Sequence, residues 1–211
     1  MHIWALDGLS GHVDLVEALA PRAGQDLPDL LLLFGRAAES AAAAIWAAHS
    51  EEVRERADAP VELARRYLRE AGEPGFGDDI RAFPAVPPWA RRARVVSHGD
   101  PGYFHPLPTA ARELELVDGL VVLAVPDLGE VLADALMNAT VWIGGGRPTP
   151  LLEAKNGRAL LAPGDSLRAR NRLECELTRA RLIARVVDHT GAALSTLDLP
   201  LQRRSRMTVQ G

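Results

Sequence analysis

The densest chemically capable stretch of the sequence is HGDPGYFH, which sets His98, Asp100, Tyr103 and His105 within eight residues. Imidazole and carboxylate groups held close together can ligate a divalent ion or work as a general acid–base pair. The same residues also suit a polar loop in which Asp100 stabilises the turn ahead of Pro101-Gly102. A second group is cationic. Arg36 follows an apolar run closed by Gly35, and Arg147 follows Gly145 and Gly146 in the stretch IGGGR. Guanidinium groups beside backbone N–H donors can hold a phosphate-like anion. Alternatively, each Arg pairs with a local carboxylate such as Asp7 or Asp100. His12 and Asp14 fall at a helix start, where Asp stabilises the first turn. His2, His49 and His189 read as a strand-margin, a helix-surface and a turn residue.

The elements around these groups follow from apolar spacing. Ile3 to Leu6 and Leu30 to Phe34 are short apolar runs ending in Asp7-Gly8 and Gly35, as buried strands do. Between them Val13, Val16, Leu19 and Ala20 recur at helical spacing up to Pro21, so the pair of strands is expected to be parallel. Helices are expected over Ala37 to Ala57, from Pro60 to Glu70, and over Leu128 to Leu136. Residues 72–92 contain a Gly- and Pro-dense segment carrying Phe76, Phe83 and Trp89, which either covers the core or anchors a partner. Strands are expected at Ala93 to Ser97, Leu114 to Val117, Leu120 to Val125 and Thr140 to Ile143. Hairpins follow: Leu151 to Ala154 with Arg158 to Ala162 around Asn156-Gly157, then Arg172 to Leu177, Ala180 to Val187 and Ala193 to Leu197. Crossover units followed by hairpins fit two face-to-face sheets with helices outside.

The bulk numbers exclude several function classes. A 211-residue chain with 47% hydrophobic and 25% charged residues can bury a real core and reads as one domain, 1–202, with an insertion at about 37–92 and a polar tail at 203–211. A net charge of −4 gives no global pull toward nucleic acid or acidic membranes, and no basic stripe interleaved with aromatics is visible. No apolar run is long enough to span a bilayer, and the N-terminus carries no signal-peptide pattern, so a cytoplasmic location is expected. Cys175 is the only cysteine, which rules out an internal disulfide.

Five blocks of the sequence, taken in order, resemble the calcineurin-like metallophosphoesterases. MHIWALDGLSGHVDLVEAL is similar to the family's opening strand and serine-aspartate-x-histidine-glycine-asparagine motif. DLLLLFGR resembles the strand ending in glycine-aspartate, and ARVVSHGDPGY stands where a glycine-asparagine-histidine block is expected. LVVLAVPD takes the place of a strand ending in histidine-glycine. VWIGGGRPTPLLEAKNGRALLAPGDS matches the closing glycine-histidine-x-histidine block and its hairpin. The resemblance implies an α/β (α+β) fold, a four-layer αββα sandwich of two mixed β-sheets flanked by helices.

It also implies a lost metal site. In the family these strand ends carry two divalent ions that clamp phosphate and supply hydroxide. Here the ligand positions fall on Gly8, Ser10, Arg36, His98, Gly99, Val125, Gly146 and Pro148, of which only His98 can still ligate. Moving the first block by one residue makes Asp7 the aspartate, and the histidine place then falls on Leu9. A fixed positive charge at Arg36 opposes a dication. The expectation is therefore a non-catalytic binding or scaffold module without metal or other cofactor, whose partner is another protein. The alternative is a phosphoesterase using Mn or Zn at a rearranged site formed by His98, Asp100 and His105, with Asp7 in support.

Overall fold

The computed structural model describes residues 1–8, 27–39, 41, 92–97, 109–110, 112–117, 119–130 and 139–201. Twelve strands run through them: β1 (His2–Leu6), β2 (Leu30–Phe34), β3 (Ala93–Val96), β4 (Thr109–Ala110), β5 (Glu113–Val117), β6 (Leu120–Val125), β7 (Val141–Gly144), β8 (Leu151–Lys155), β9 (Arg158–Ala162), β10 (Asn171–Leu177), β11 (Arg181–Asp188) and β12 (Ala193–Pro200). They form two mixed sheets. The larger has the order β12-β11-β10-β1-β2-β3-β4, and the smaller has the order β5-β6-β7-β9-β8.

In the larger sheet β1, β2 and β3 are parallel, with Ile3 opposite Leu30 and Leu31 opposite Ala93. Parallel central strands are covered on both faces, which is why LLLLF is a continuous apolar run and all five residues are buried. The antiparallel strand β10 instead alternates, with Leu173, Cys175 and Leu177 turned to the core. In the smaller sheet β6, β7 and β9 are parallel, and β8 returns on β9 through Asn156-Gly157. Both turn residues have positive φ, 53° and 71°, as a type I′ hairpin requires.

One apolar cluster joins the sheets. It takes Ile3, Ala5, Phe34 and Leu173 from the larger sheet and Val122, Ala124, Ile143 and Leu161 from the smaller. This is the core of a face-to-face sandwich, in which each buried aliphatic side chain contributes roughly 1.5–3 kcal/mol. A second cluster on the outer face of the smaller sheet holds Leu123, Val125, Ala139 and Trp142. On the other side of the larger sheet from the core, the Arg172 guanidinium lies 4.3 Å from the centre of the Trp4 ring. There it also binds Glu174, which compensates this buried cation.

The sandwich of two mixed sheets agrees with the sequence expectation. Two details differ. β4 and a one-turn helix, α1 (Ser166–Ala169), have no counterpart in the sequence reading, because two and four residues are too few to show a period. The strand at Thr140 runs one residue later and ends at Gly144. Of the expected helices, residues 36–39 and 41 are helical, and Leu128–Glu130 forms a 3-10 turn. The rest of those helices, residues 12–22 and 60–70, and the aromatic segment 72–89 lie outside the described residues.

Leu161 is fully buried on β9 at the contact between the sheets. Leu161→Ala is expected to lower unfolding stability by about 2–5 kcal/mol in urea titrations. A loss below about 1 kcal/mol would show that the two sheets do not share one packed core.

Candidate functional site

The parallel strands of both sheets end on the same side of the sandwich, and Asp7 marks the place. It follows β1 directly and continues the inward series Ile3, Ala5, Asp7. Its side chain is 1% exposed. One carboxylate oxygen, Oδ1, accepts the N–H of Gly8 at 2.8 Å, and the other, Oδ2, accepts the N–H of Gly146 at 2.8 Å. The main chain of Asp7 is held as well. Its carbonyl accepts from Ser166 and Leu167 at 2.9 and 3.3 Å, and its N–H donates to Ser166 Oγ at 3.3 Å. One residue thus ties together the end of β1, the loop after β7 and the start of α1.

Glycines make room for this arrangement. Gly35 has φ +51°, and a Cβ there would lie 2.7 Å from the Gly8 carbonyl oxygen and 2.9 Å from Asp7 Oδ1. At Gly145 a Cβ would lie 2.7 Å from the Pro126 carbonyl oxygen, 2.8 Å from Phe34 Cβ and 3.1 Å from Asp7 Oδ2. The loop backbone therefore packs directly over the carboxylate. Burial pushes the Asp7 carboxyl up from its ordinary 3.8 to about 6. The N–H groups of Gly146 and Gly8 pull it back, while the negative charges of Asp165 and Asp127 push it further up.

The residues singled out in the sequence are partly brought together here. Arg36 donates its backbone N–H to the Gly8 carbonyl at 2.9 Å, and its side chain is exposed. Arg147, also exposed, follows Gly146 at the same mouth. Pro148 accepts from the Asp165 N–H at 3.3 Å. Among the described residues neither arginine makes an ion pair, and Asp7 is satisfied by backbone N–H groups rather than by Arg36. The N–H groups of Gly145 and Gly146 are both engaged, with the Val125 carbonyl at 3.3 Å and with Asp7. His98, Asp100, Tyr103 and His105 lie outside the described residues, as do Ser10, His12 and Asp14.

Three further residues belong to the site and were not singled out. Asn171 opens β10, and the β1–β10 register continued by two places sets it opposite Asp7. It is 4% exposed, and its Oδ1 has no hydrogen-bond partner. The signal was present in NRLECEL, whose inward positions are apolar except the first. Buried Asp165 caps α1 by accepting the Arg168 N–H at 3.3 Å. Asp127 is half-buried, accepts the Gly129 N–H at 2.6 Å and faces Gly146, where a Cβ would lie 2.7 Å from its Cγ. These carboxylates are turned onto backbone donors. Among the described residues no three His, Cys, Asp or Glu are placed to hold a metal ion.

No protein-family model matches the chain, and no curated protein matches it in sequence. Solved structures do match. A predicted phosphoesterase from Streptococcus pneumoniae superposes with a TM-score of 0.52 at 11% identity, over 94% of this chain and 97% of that one. Wild-type Vps29 complexed with zinc, from Entamoeba histolytica, gives 0.52 at 11% identity over 96% and 100%. Vacuolar protein sorting 29 from Cryptosporidium parvum gives 0.51 at 12% identity over 94% and 97%. The chain has the calcineurin-like metallophosphoesterase fold, and the resemblance drawn from its sequence holds at that level.

The raised carboxyl of Asp7 has a defined consequence for stability. Between about pH 4 and pH 6 the folded chain keeps a proton that the unfolded chain has released. This group's contribution to stability is therefore full below pH 4 and falls as pH rises to 6, with a slope of at most about 1.4 kcal/mol per unit. Asp7→Asn should remove that slope, read as the pH dependence of the difference in urea unfolding free energy between the two proteins. A difference that stays flat from pH 4 to pH 7 would contradict the buried, protonatable state.

Proposed function

We propose that this chain is a non-catalytic user of the metallophosphoesterase fold, a cytoplasmic binding or scaffold module that works in complex with another protein. The observation that supports this most is the closure around Asp7. Its two carboxylate oxygens are taken by the Gly8 and Gly146 N–H groups, and the Gly145 backbone lies against it. A phosphoesterase centre needs open ligand positions for two cations and a phosphate. The neighbouring ligand positions of the resemblance are Arg36, Val125, Gly146 and Pro148, none of which supplies a metal donor side chain.

The fold by itself does not choose between activities. Its structural neighbours include a predicted phosphoesterase and a vacuolar sorting protein, and one of the latter was solved with zinc. The choice rests on the donor set. A phosphoesterase working through His98, Asp100 and His105 would have to compete for Asp7 with the two backbone N–H groups that its oxygens already accept.

Elemental analysis of the purified protein is expected to show far less than one Mn or Zn per chain. Bis(p-nitrophenyl) phosphate should release nitrophenol at the uncatalysed rate with or without added Mn²⁺. Two bound ions per chain, together with a metal-dependent rate that His98→Ala abolishes, would overturn the proposal.

A further inference from the structure

The exposed arginines at the Asp7 end of the sandwich show a pattern that the closed site does not use. Arg36, Arg147 and Arg168 come from three separate segments, and each segment is hydrogen-bonded to the Asp7-Gly8 dipeptide. Arg36 donates its own N–H to Gly8, Gly146 just before Arg147 donates to Asp7 Oδ2, and Ser166 two places before Arg168 donates to the Asp7 carbonyl. Arg170 closes α1 in a left-handed conformation, φ 51°, and is also exposed. Among the described residues none of these four side chains is in an ion pair. Other arginines contrast with them: Arg172, Arg181 and Arg185 bind Glu174, Asp198 and Glu176.

We infer that this crown of arginines is the docking surface for an acidic segment of a partner protein, an inference that rests on the scaffold reading above. The carboxylates of the site itself do not cancel it. Asp7 and Asp165 are buried and turned onto backbone N–H groups, and Asp127 binds the Gly129 N–H. A single small anion is a poorer match. It needs convergent donors, and the loop N–H groups that would converge, at Gly145 and Gly146, are already engaged. Guanidinium groups spread over three segments suit several carboxylates along an extended chain. A net charge of −4 works against a long polyanion such as nucleic acid, whereas a short acidic peptide meets only the local field.

The test uses a fluorescein-labelled octaglutamate peptide and the full chain at low salt, with binding read by anisotropy. Arg147→Gln combined with Arg168→Gln should weaken binding about five- to tenfold, and the Lys pair at the same positions should retain most of it. Lys155→Gln with Arg179→Gln removes the same charge from exposed residues at the opposite end of the sandwich. That pair should change affinity less than about twofold. Equal losses in both Gln pairs, absence of saturable binding, or tighter binding of an eight-nucleotide oligothymidylate would each overturn the inference. Unchanged melting temperatures in the exposed-site variants keep the comparison free of folding effects. A metal-loaded, hydrolytic protein that still bound the peptide at the crown would end the scaffold reading and leave the docking surface standing.

Discussion

A carboxylate cannot be taken out of water without compensation, and this chain buries one where its two sheets meet. The compensation comes from backbone N–H groups, which have little freedom, so satisfying Asp7 fixes the path of the chain around it. The Gly146 N–H must reach Oδ2, which draws the loop after β7 across to the larger sheet. The Ser166 and Leu167 N–H groups must reach the Asp7 carbonyl, which seats α1 against the end of β1. Gly35 and Gly145 are then needed because any Cβ at those places would collide with Asp7 or its immediate surroundings. The exposed arginines are placed by the same bonds, since each extends from a segment that Asp7-Gly8 anchors. A polar contact inside the fold thus decides where charge appears outside it.

The strands were legible because their patterns were strong. LLLLF is a run that only a doubly covered parallel strand accommodates, and Asn156-Gly157 between two apolar runs is a hairpin with few alternatives. The site was only partly legible. Arg36, Arg147, Gly145 and Gly146 stood out as a glycine-rich mouth with cations, and the structure does bring their segments together. The direction of the glycine N–H groups could not be read, because it depends on Asp7, which lies 139 residues from Gly146. In sequence, Asp7-Gly8 looks like any polar pair leaving a strand. Asn171 was readable in principle, as a polar residue at an inward position of an otherwise apolar alternation. The chemistry expected of His98, Asp100 and His105 falls outside the described residues and still rests on residue type alone.

The persistence of the fold at such low identity has a physical basis. What joins the sheets is an apolar cluster of Ile3, Phe34, Ile143, Leu161 and Leu173, and none of these contacts requires a cation. The strand ends around Asp7 and Gly146 sit outside that cluster, so the side chains they carry can vary while the interior packing stays intact. The chemistry of the strand ends and the retention of the sandwich are therefore energetically separable.

The outermost strand of the larger sheet carries one more consequence. β12 runs from Ala193 to Pro200, and Leu194 on it is 60% exposed, so it offers a long, partly apolar rim. Such rims recruit strands from other molecules and seed fibrils. Here the register with β11 breaks between Val186 and Val187, which bends the rim near one end. At the other end Pro200 lacks an N–H, and Asp198 stands out in a pair with Arg181. The straight, neutral stretch open to edge pairing is thereby shortened to a few residues.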